Sequence, residues 1–410
     1  MIDSSHERKR IAVVGAGISG LGTAYLLSRA YDVEVFERAP RAGGHANTVQ
    51  HDGLALDTGF LVHNVPNYPL LSRLFRELHV QTHETEMSFS VSCGHCGLEW
   101  SGRRPFAQRR NLASPRFLGL LRELGRWLRT AEADLGELDE RESLMHYLGR
   151  RGYSPRFRRH FLVPLTAALW STAPGRALEY PAASAIRFFA NHGMLGFRRF
   201  RWRTVTGGSQ TYVAALTRRL GERLHLATGV REIRRNPDGV ELRSDDGRLR
   251  RFDSVVLAVH ANQALAVLAD ASPAEQQALG AFEYTSNEAI LHTAQSLLPH
   301  APAARSSWNY RLTGDGHPTV TYWLNRLQGL DADRDYCVTL NAPVPEEHVL
   351  ARFRYEHPLY TADTLLAQQA LRSFSGERRT HYAGAHLGNG FHEAGLASSV
   401  AVARELGVAW

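Results

Sequence analysis

A short apolar run near the start of the sequence, Ile11–Val14, is rich in β-branched residues and is typical of a strand buried on both faces. A glycine-rich segment, Gly15–Gly20, follows it directly, and a helical pattern of apolar positions covers Leu21–Ala30. A second β-branched run, Val33–Phe36, then ends at Glu37. The pattern therefore predicts a strand, a tight turn, a helix and a second strand in succession.

Leucines at helical spacing dominate the next part of the chain, residues 66–204. They recur at intervals of three and four, which is the period of one face of a helix. The clearest sets are Leu70, Leu74 and Leu78, and Leu118, Leu121, Leu124 and Leu128. We interpret these leucines as core-facing stripes of a mainly helical domain.

Short strands separated by turns follow in the second half of the sequence. Residues 207–220 read as a glycine turn that opens a helix, and residues 229–252 as short strands divided by turns. Phe252–His260 then predicts a buried strand. The last patterned segment, Thr380–Gly407, combines a short strand, several glycines and a terminal helix.

The composition fits a globular protein with room for more than one domain. Hydrophobic residues make up 43% and charged residues 22% of the 410 positions, close to the averages of soluble domains. At about 150 residues per domain, the length predicts two or three domains. These values exclude a disordered chain, a collagen-like chain and a small disulfide scaffold.

The formal charge of +7 comes almost entirely from arginine, because Lys9 is the one lysine among 48 basic residues. The arginines are scattered and no array of aromatic residues accompanies them, so we expect no nucleic-acid partner. Peripheral contact with an anionic membrane surface stays open. With Lys9 ahead of the first strand, the sequence offers no buried lysine for Schiff-base chemistry.

No apolar segment reaches the length of a transmembrane helix or of a signal-peptide core, and three cysteines cannot form a disulfide framework. We therefore expect a cytoplasmic protein. Cys93 and Cys96 have the spacing of a redox or zinc pair, but strand-like residues on both sides favour a hairpin turn. Since only Cys337 remains as a further cysteine, we expect no metal site.

Gly15, Gly17 and Gly20 complete a dinucleotide-binding fingerprint in the predicted β-α-β unit. Gly15 makes the tight turn, Gly17 lets the backbone approach a pyrophosphate, and Gly20 lets the helix pack on the strand. The first helical residues, Ile18 and Ser19, offer backbone N–H groups and the positive end of the helix dipole to phosphates. The sequence therefore predicts a nucleotide cofactor at this turn.

Glu37 is placed to accept hydrogen bonds from a ribose hydroxyl of that cofactor. It opens a longer motif, Glu37–Arg38, the paired glycines Gly43–Gly44, and Asp57–Phe60. With the glycine-rich C-terminal segment, this order resembles flavoproteins of the amine oxidase and phytoene desaturase superfamily. Within it, the sequence resembles a bacterial group of predicted NAD/FAD-binding proteins, whose motifs match Met87–Val91, Leu98–Gly102, Asn191–Gly193, Ser307–Tyr310 and Gly390–Glu393.

The resemblance implies an α/β fold in which a Rossmann-type FAD-binding domain carries an inserted α+β substrate-binding domain. The FAD-binding domain would comprise residues 8–65, 205–268 and 378–408, and the substrate-binding domain residues 66–204 and 269–377. FAD would be bound noncovalently, since no cysteine lies in the C-terminal segment. Besides the glycine turn and Glu37, the residues implied to contact FAD are Arg38, Gly43, Gly44, His45, Gly59, Phe60, Leu61, Val230, Ala258, Gly384, Gly390, Phe391 and His392.

The sequence departs from the resembled families at three positions. His45 stands where amine oxidases usually carry arginine, Phe391 where tyrosine is commoner, and Ala394 where the bacterial group has an acidic residue. The first two departures, and the lack of a lysine to hold a water beside the flavin, make an amine substrate less favoured. Ala394 puts in question whether the bacterial group's activity is kept unchanged. His392 and His63 are the candidates for acid–base catalysis.

We expect an FAD-dependent oxidoreductase that moves a hydride between flavin N5 and a carbon centre of an apolar or unsaturated substrate, such as a lipid or natural product. Aromatic residues at Trp308–Tyr310 and Tyr322–Trp323 are candidates to line a tunnel for it. Three alternatives stay open: a redox-neutral double-bond isomerase, an amine oxidase, and a flavin-binding partner protein without catalytic activity.

Overall fold

Strands and helices alternate along the residues that the computed structural model describes, 8–170, 175–196, 200–313 and 318–410. In chain order the strands are β1 (Arg10–Val14), β2 (Asp32–Phe36), β3 (Thr48–His51), β4 (Leu54–Asp57), β5 (Thr82–Thr85), β6 (Phe89–Cys93), β7 (Glu99–Ser101), β8 (Trp202–Val205), β9 (Leu224–His225), β10 (Val230–Asn236), β11 (Gly239–Ser244), β12 (Leu249–Phe252), β13 (Ser254–Leu257), β14 (Tyr284–His292), β15 (Trp308–Leu312), β16 (Thr319–Trp323), β17 (Cys337–Leu340), β18 (Val349–Pro358) and β19 (Thr380–Tyr382). The helices are α1 (Ile18–Leu27), α2 (Pro69–Glu77), α3 (Pro115–Thr130), α4 (Leu144–Arg150), α5 (Pro155–Phe157), α6 (Val163–Trp170), α7 (Ala182–Asn191), α8 (Gln210–Leu220), α9 (Ala261–Val267), α10 (Pro273–Gly280), α11 (Leu324–Leu327), α12 (Ala362–Ser373) and α13 (His392–Glu405). Among the described residues, no helix combines the length and the apolar character that a bilayer crossing requires.

The molecule has two halves in space. A parallel sheet with the strand order β19-β13-β1-β2-β9 forms the centre of the first half, which contains the glycine-rich segment 15–20. β1 lies in its middle and pairs in parallel with β2 and β13, and its residues 11–14 are buried. Helices α1, α8 and α13 cover one face, and the antiparallel sheet β10-β11-β12 with α9, α10 and α12 covers the other. Burial on both faces explains why β1 is apolar throughout. The predicted Rossmann-type α/β fold is confirmed.

The structure assigns more of the chain to this half than the sequence-based boundaries do. Helix α2 packs into the same apolar cluster as β1, through Leu71 and Leu74. Helices α10 and α12 pack on the opposite face, through Leu279 and Leu371. All three helices fall in ranges that the sequence placed in the substrate-binding domain. A parallel sheet needs helices on both faces, and these distant segments supply part of that cover.

A mixed seven-stranded sheet with the order β18-β14-β17-β16-β15-β6-β7 forms the second half. Its β6 and β7 come from residues 89–101, and its other strands from residues 284–358. Helices α3 to α7 pack beside it in one large apolar cluster, which contains the buried Trp100, Trp127 and Tyr310. The strands β5, β6, β7 and β8 show that residues 66–204 are less helical than their leucines suggest.

The leucine spacing of helix α3 predicts the wrong buried face. The leucines at 118, 121, 124 and 128 do not form its buried stripe: Leu118 is 45% exposed, and the other three are partly buried. The fully buried side chains are Phe117, Leu120 and Trp127. The aromatic residues are larger and bury more apolar area, so they determine which face of the helix turns inward.

A buried ion pair ties the antiparallel sheet to α10 behind the parallel sheet. Arg235 of β10 is 1% exposed in its side chain, and its guanidinium donates two hydrogen bonds to the Glu275 carboxylate, which is 6% exposed. Tyr382 of β19 donates a third, at 2.6 Å. Burial alone would raise the pKa of Glu275, but the hydrogen bonds from Arg235 and Tyr382 lower it to about 2. The carboxylate therefore stays charged in the folded protein far below its ordinary pKa.

We expect Glu275→Gln to lower the free energy of unfolding by about 2–4 kcal/mol at pH 7, because the buried Arg235 charge would keep only the partly exposed Asp270 as a charged partner. A carboxyl with a lowered pKa stabilises the fold above its unfolded pKa and loses that effect as the pH falls through the folded pKa. The difference between wild type and variant should therefore shrink between pH 4.5 and 2. Urea unfolding across that pH range measures it.

Glu241→Gln is the matched control, since Glu241 pairs with Arg251 on the same sheet but at the surface, where the Arg251 side chain is 79% exposed. Because of this exposure, the pair should contribute less than about 1 kcal/mol to the free energy of unfolding. Equal losses in the two variants would contradict a special role for the buried pair.

Candidate active site

A cavity of about 680 Å³ lies between the two halves and takes its walls from both. The turn after β1, the end of β2 and the start of α13 line it on the nucleotide-binding side. Residues of α6, α7, β15, β16 and β18 line it on the other side. The cavity therefore sits at the carboxyl ends of the parallel strands, where open α/β sheets bind their ligands.

The glycine turn has the close contacts that its sequence predicts. A Cβ atom on Gly20 would lie 1.8 Å from the Gly15 carbonyl oxygen, and one on Gly15, at φ +100°, would lie 2.6 Å from the Ala258 carbonyl oxygen. Neither position can hold a side chain. A Cβ atom on Gly17, in contrast, would meet nothing within 4 Å and would point into open space. Packing thus explains Gly15 and Gly20, whereas Gly17 leaves room for a ligand.

Glu37 supports the same turn. Its carboxylate accepts hydrogen bonds from the backbone N–H groups of Ala16 and Ala39, both at 2.8 Å, and the residue lines the cavity. Glu37 therefore has a structural role beside the ribose contact that the sequence predicts. Helix α1 begins after Gly17 without a side-chain cap, so no side chain competes for the first N–H groups at the cavity.

The paired glycines bring the chain back to this turn. Gly43 donates from its N–H to the Ala16 carbonyl at 2.8 Å, and Gly43 and Gly44 have φ angles of +111° and +57°, which glycine adopts without strain. His45 follows them and stacks on Tyr355 with ring centroids 5.0 Å apart. Its Nε2 atom is buried without a protein hydrogen-bond partner. A buried polar atom at this place is suited to a ligand oxygen.

Most of the residues that the sequence assigned to the cofactor line this one cavity. They are Gly15, Gly17, Ile18, Ser19, Glu37, Arg38, Gly43, Gly44, His45, Gly59, Phe60, Leu61, Val230, Ala258, Gly384, Gly390, Phe391 and His392. Gly20 does not line it and acts through packing. His63 does not line it either: it is 2% exposed and packs against Phe75, so its place in the structure gives no support to a catalytic role.

His392 begins α13 at the edge of the cavity. Its ring stacks on Phe60 with centroids 3.9 Å apart, and its Nε2 atom lies 3.0 Å from the Tyr212 hydroxyl. The next residue, Glu393, accepts hydrogen bonds from the N–H groups of Leu70 and Leu71 at 2.9 and 3.0 Å. These contacts hold the start of α13 against the first turn of α2. They fix where His392 and its neighbour Phe391 face the cavity.

An aromatic column forms the wall beyond Phe391. Phe391 stacks on Phe188 at 4.9 Å, Phe188 on His192 at 3.8 Å, and His192 on Trp202 at 6.4 Å between centroids. Trp308 also lines the cavity, as the sequence suggested. Of the other predicted tunnel residues, Tyr322 lines it as well, whereas Tyr310 and Trp323 do not.

Five charged residues of the described part of the chain line the cavity, and the contacts of all but Arg354 place them at the nucleotide end. They are Glu37, Arg38, Arg41, Arg354 and Glu356. Glu356 bonds to His260 at 3.2 Å, and the Arg38 charge acts on the same histidine. The opposite end is lined by apolar and aromatic side chains and by the amphipathic Tyr and Trp. The charge that lines the cavity is therefore concentrated where a dinucleotide would lie.

Six histidines of the described part of the chain line the cavity, and burial lowers the pKa of each. Desolvation lowers the pKa of His192 and His357 to about 4 and that of His386 and His392 to about 3. It also lowers the pKa of His260, and it lowers that of His45 well below its ordinary value. A neutral imidazole donates or accepts a hydrogen bond but carries no charge. Outside the cavity, His292 has both ring nitrogens bonded, to Thr339 and Ala294.

Sequence reasoning missed the part of the site that comes from β18 and α6–α7. Tyr355 and His357 line the cavity against His45, and Tyr360, Leu169 and Phe188 line it elsewhere. The alternation of Tyr355 and His357 along one strand was the only local signal for the first group. No local pattern could have indicated that these residues meet His45, which lies about 310 positions earlier.

The profile of the flavin containing amine oxidoreductase family matches residues 18–406. The chain belongs to this family. A putative flavin-containing monoamine oxidase, AofH, of Mycobacterium tuberculosis is 28% identical over 322 residues, which are 74% of this chain and 66% of that protein. Other curated relatives match over 52 to 77 residues, only 10–14% of their own length.

Solved structures of other proteins share the whole fold. Cyclohexylamine oxidase from Brevibacterium oxydans has a TM-score of 0.70 at 16% identity, covering 98% of this chain and 100% of that one. A fatty acid isomerase from P. acnes, which produces CLA, has a TM-score of 0.67 at 16% identity, covering 98% and 99%. These structures agree in fold with the family that the profile match assigns to the chain.

The residues present fit FAD. The open space at Gly17, the unpartnered Nε2 atom of His45 and the uncapped start of α1 together form a cradle for a pyrophosphate. Val230 lies in the wall near Glu37 and Arg38, where the adenosine end would be held. At the other end, Gly59, Phe60 and the start of α13 would border the flavin ring.

We expect Gly17→Ala to weaken FAD binding at least about tenfold, because its methyl group would occupy the space that the pyrophosphate needs. The melting temperature of the FAD-free protein should not change, since that methyl meets no protein atom. Flavin fluorescence quenching measures the affinity, and thermal unfolding of the FAD-free protein measures the stability.

Gly119→Ala, on the exposed side of α3 with nothing within 4 Å of the added methyl, is the matched control and should bind FAD normally. A Gly17→Ala protein that bound FAD as tightly as wild type would refute the assignment of the cradle.

Proposed function

We propose that the protein oxidises or reduces an apolar, unsaturated substrate, such as a lipid or natural product, at a carbon centre facing the flavin. The observation that carries this proposal is the distribution of charge in the cavity. Among the described residues, four of the five charged side chains that line it lie at its nucleotide end, and aromatic and aliphatic side chains line most of the rest. A neutral apolar molecule loses the least on entering such a space.

FAD, when bound, supplies the hydride acceptor or donor at flavin N5. The residues of this chain orient the substrate and exclude water from it. The stacked rings of Phe391, Phe188 and His192 provide a flat apolar wall. The Tyr360 hydroxyl and the Trp308 indole N–H are buried without a protein partner and can donate hydrogen bonds to a polar end of the substrate.

An amine substrate has less support in this cavity. A protonated amine entering it would lose its hydration, which costs several kcal/mol unless a carboxylate or aromatic cage compensates. The described residues place no carboxylate among the apolar walls. The sequence also lacks a lysine near this site, because Lys9 precedes β1. The amine oxidase alternative rests on the family and on relatives such as AofH, rather than on these walls.

A redox-neutral isomerase is the second candidate. The fold that this chain shares with the fatty acid isomerase of P. acnes favours it, and so does the absence of charged acid–base groups among the described apolar walls. Such an enzyme would take a hydride from one carbon of a double-bond system and return it to another. Product analysis without an electron acceptor separates this candidate from net oxidation.

We expect a neutral unsaturated fatty acid ester to bleach the flavin anaerobically. The primary amine that carries the same unsaturated chain should not. The two probes differ in charge and share the apolar chain, so the contrast reports on the walls of the cavity. Stopped-flow absorbance of the oxidised flavin measures the rate. Bleaching by the amine alone would contradict the proposal, and a shifted double bond without bleaching would select the isomerase.

A charge placed in the apolar wall provides a matched pair of variants. Met194 lines this wall, so Met194→Glu should weaken binding of the ester and improve binding of the amine. Met194→Gln should change the affinities of the two probes alike. The two variants have nearly the same shape. Equal responses to both probes in the Glu variant would show that this wall does not select by charge.

The rate of flavin reduction by the ester should be independent of pH between about pH 5.5 and 8. Burial lowers the pKa of every described cavity histidine, to about 3 or 4 in His192, His357, His386 and His392, so none of these four changes charge within that range. His392→Ala should lower the rate without adding a pH-dependent step. A step near pH 6.5 that disappears in His392→Ala would identify His392 as an acid–base group instead.

A further inference from the structure

Three potential metal ligands meet at a site away from the flavin cavity. The Sγ atoms of Cys93 and Cys96 and a ring nitrogen of His160 lie within 4.8 Å of one another. Cys93 and His160 are buried, whereas Cys96 is exposed. Cysteine spacing alone predicts no metal site here, because the chain has only one further cysteine, Cys337. The third ligand is a histidine that lies 64 positions after Cys96.

The two cysteines occupy the turn of the hairpin formed by β6 and β7. The Cys93 N–H donates to the Leu98 carbonyl at 2.8 Å, and the Gly97 N–H donates to the Cys93 carbonyl at 2.8 Å. Gly97 has a φ angle of +68°, a left-handed conformation that closes the turn. The hairpin that the sequence predicts is therefore present. Its tight turn brings both thiols to one side.

His160 reaches this turn from a helical segment on the other side. A π-helical turn, Arg158–Leu162, separates α5 from α6, and Pro164 explains it, because proline cannot donate the N–H bond that would continue an α-helix back to His160. The His160 Nδ1 atom lies 3.2 Å from the Arg156 carbonyl oxygen and must donate to it. Its Nε2 atom is therefore an unprotonated lone pair, 3.5 Å from the Cys96 sulfur.

One of the three separations between ligand atoms has the value that a tetrahedral metal centre requires. Zinc bonds of about 2.3 Å to sulfur and about 2.0–2.1 Å to nitrogen, at a tetrahedral angle, place the two ligand atoms about 3.5 Å apart. The Cys96–His160 separation has this value. A backbone carbonyl that binds the second nitrogen is also the usual support of a metal-binding histidine.

We propose that Cys93, Cys96 and His160 bind one zinc-like divalent cation, with a fourth position open to solvent beside the exposed Cys96. Binding converts two thiols to thiolates and releases two protons, with no change of oxidation state. The metal would join the β6–β7 hairpin to the helical segment that continues into α6. Because Ala168 and Leu169 of α6 line the flavin cavity, the site would stabilise the apolar wall from behind.

Zinc titration of the full-length, reduced and metal-free protein tests the proposal. Competition with a chromophoric chelator should show one zinc per chain, and unbuffered solution should acidify by about two protons per metal. Cobalt(II) should give the ligand-field bands of a tetrahedral thiolate site, at wavelengths beyond flavin absorption. Bound zinc should also raise the melting temperature.

Cys96→Ser and His160→Ala should each weaken zinc binding at least about 100-fold. Cys337→Ala is the matched control: it removes a thiol from β17, which β15 and β16 separate from β6, and should leave the zinc affinity unchanged. Flavin content and its visible spectrum verify that each variant is folded. Zinc affinity and the cobalt spectrum are both measured without turnover of a substrate.

Three results would overturn the proposal. The first is a folded, reduced protein that binds no zinc. The second is a cobalt spectrum that His160→Ala leaves unchanged, which would show an adventitious site on the thiols alone. The third is a Cys93–Cys96 disulfide that forms in the purified protein and reforms after reduction in the presence of excess zinc.

Discussion

The close approach of α1 to β1 is the constraint on which the site depends. The carbonyl oxygen of Gly15 lies where a side chain of residue 20 would begin, 1.8 Å from that Cβ position. This contact brings the start of the helix directly against the end of the central strand. The N–H groups of the first turn then face the cavity without side-chain caps, and Gly17 leaves open space in front of them. Packing and phosphate binding thus come from the same few residues.

The second half of the molecule contributes the apolar wall of the cavity, whereas the first contributes the glycine turn. Its seven-stranded sheet and helices surround the far end of the cavity with apolar and aromatic side chains. Burial there keeps the histidines uncharged, so that hydrogen bonding and stacking remain as their functions. The network at Asp57, which accepts from Ser209 and from Gln328, fixes the two halves relative to each other. Burial raises the pKa of Asp57 to about 6. This hydrogen-bonded acid therefore begins to take up a proton just below neutral pH.

Features set by neighbouring residues were predictable from the sequence. The glycine turn, the end of β2 at Glu37 and the hairpin at Cys93 depend on backbone conformations that particular residue types favour, and all three are present. Features set by distant contacts were not. The stacking of His45 on Tyr355 joins segments about 310 positions apart, and α2, α10 and α12 join the first half only through tertiary packing. His160 likewise becomes a neighbour of Cys96 through the fold, and its π-turn has no periodic signature.

The visible absorption spectrum of the purified protein tests the central claim most directly, namely that the glycine turn and His45 form the site of a noncovalent FAD. We expect the bands of oxidised flavin, with about one FAD per chain, all of it released into solution when the protein is denatured. Flavin that stayed with the denatured chain would contradict the noncovalent assignment. A colourless, folded protein that took up no added FAD would contradict the claim as a whole.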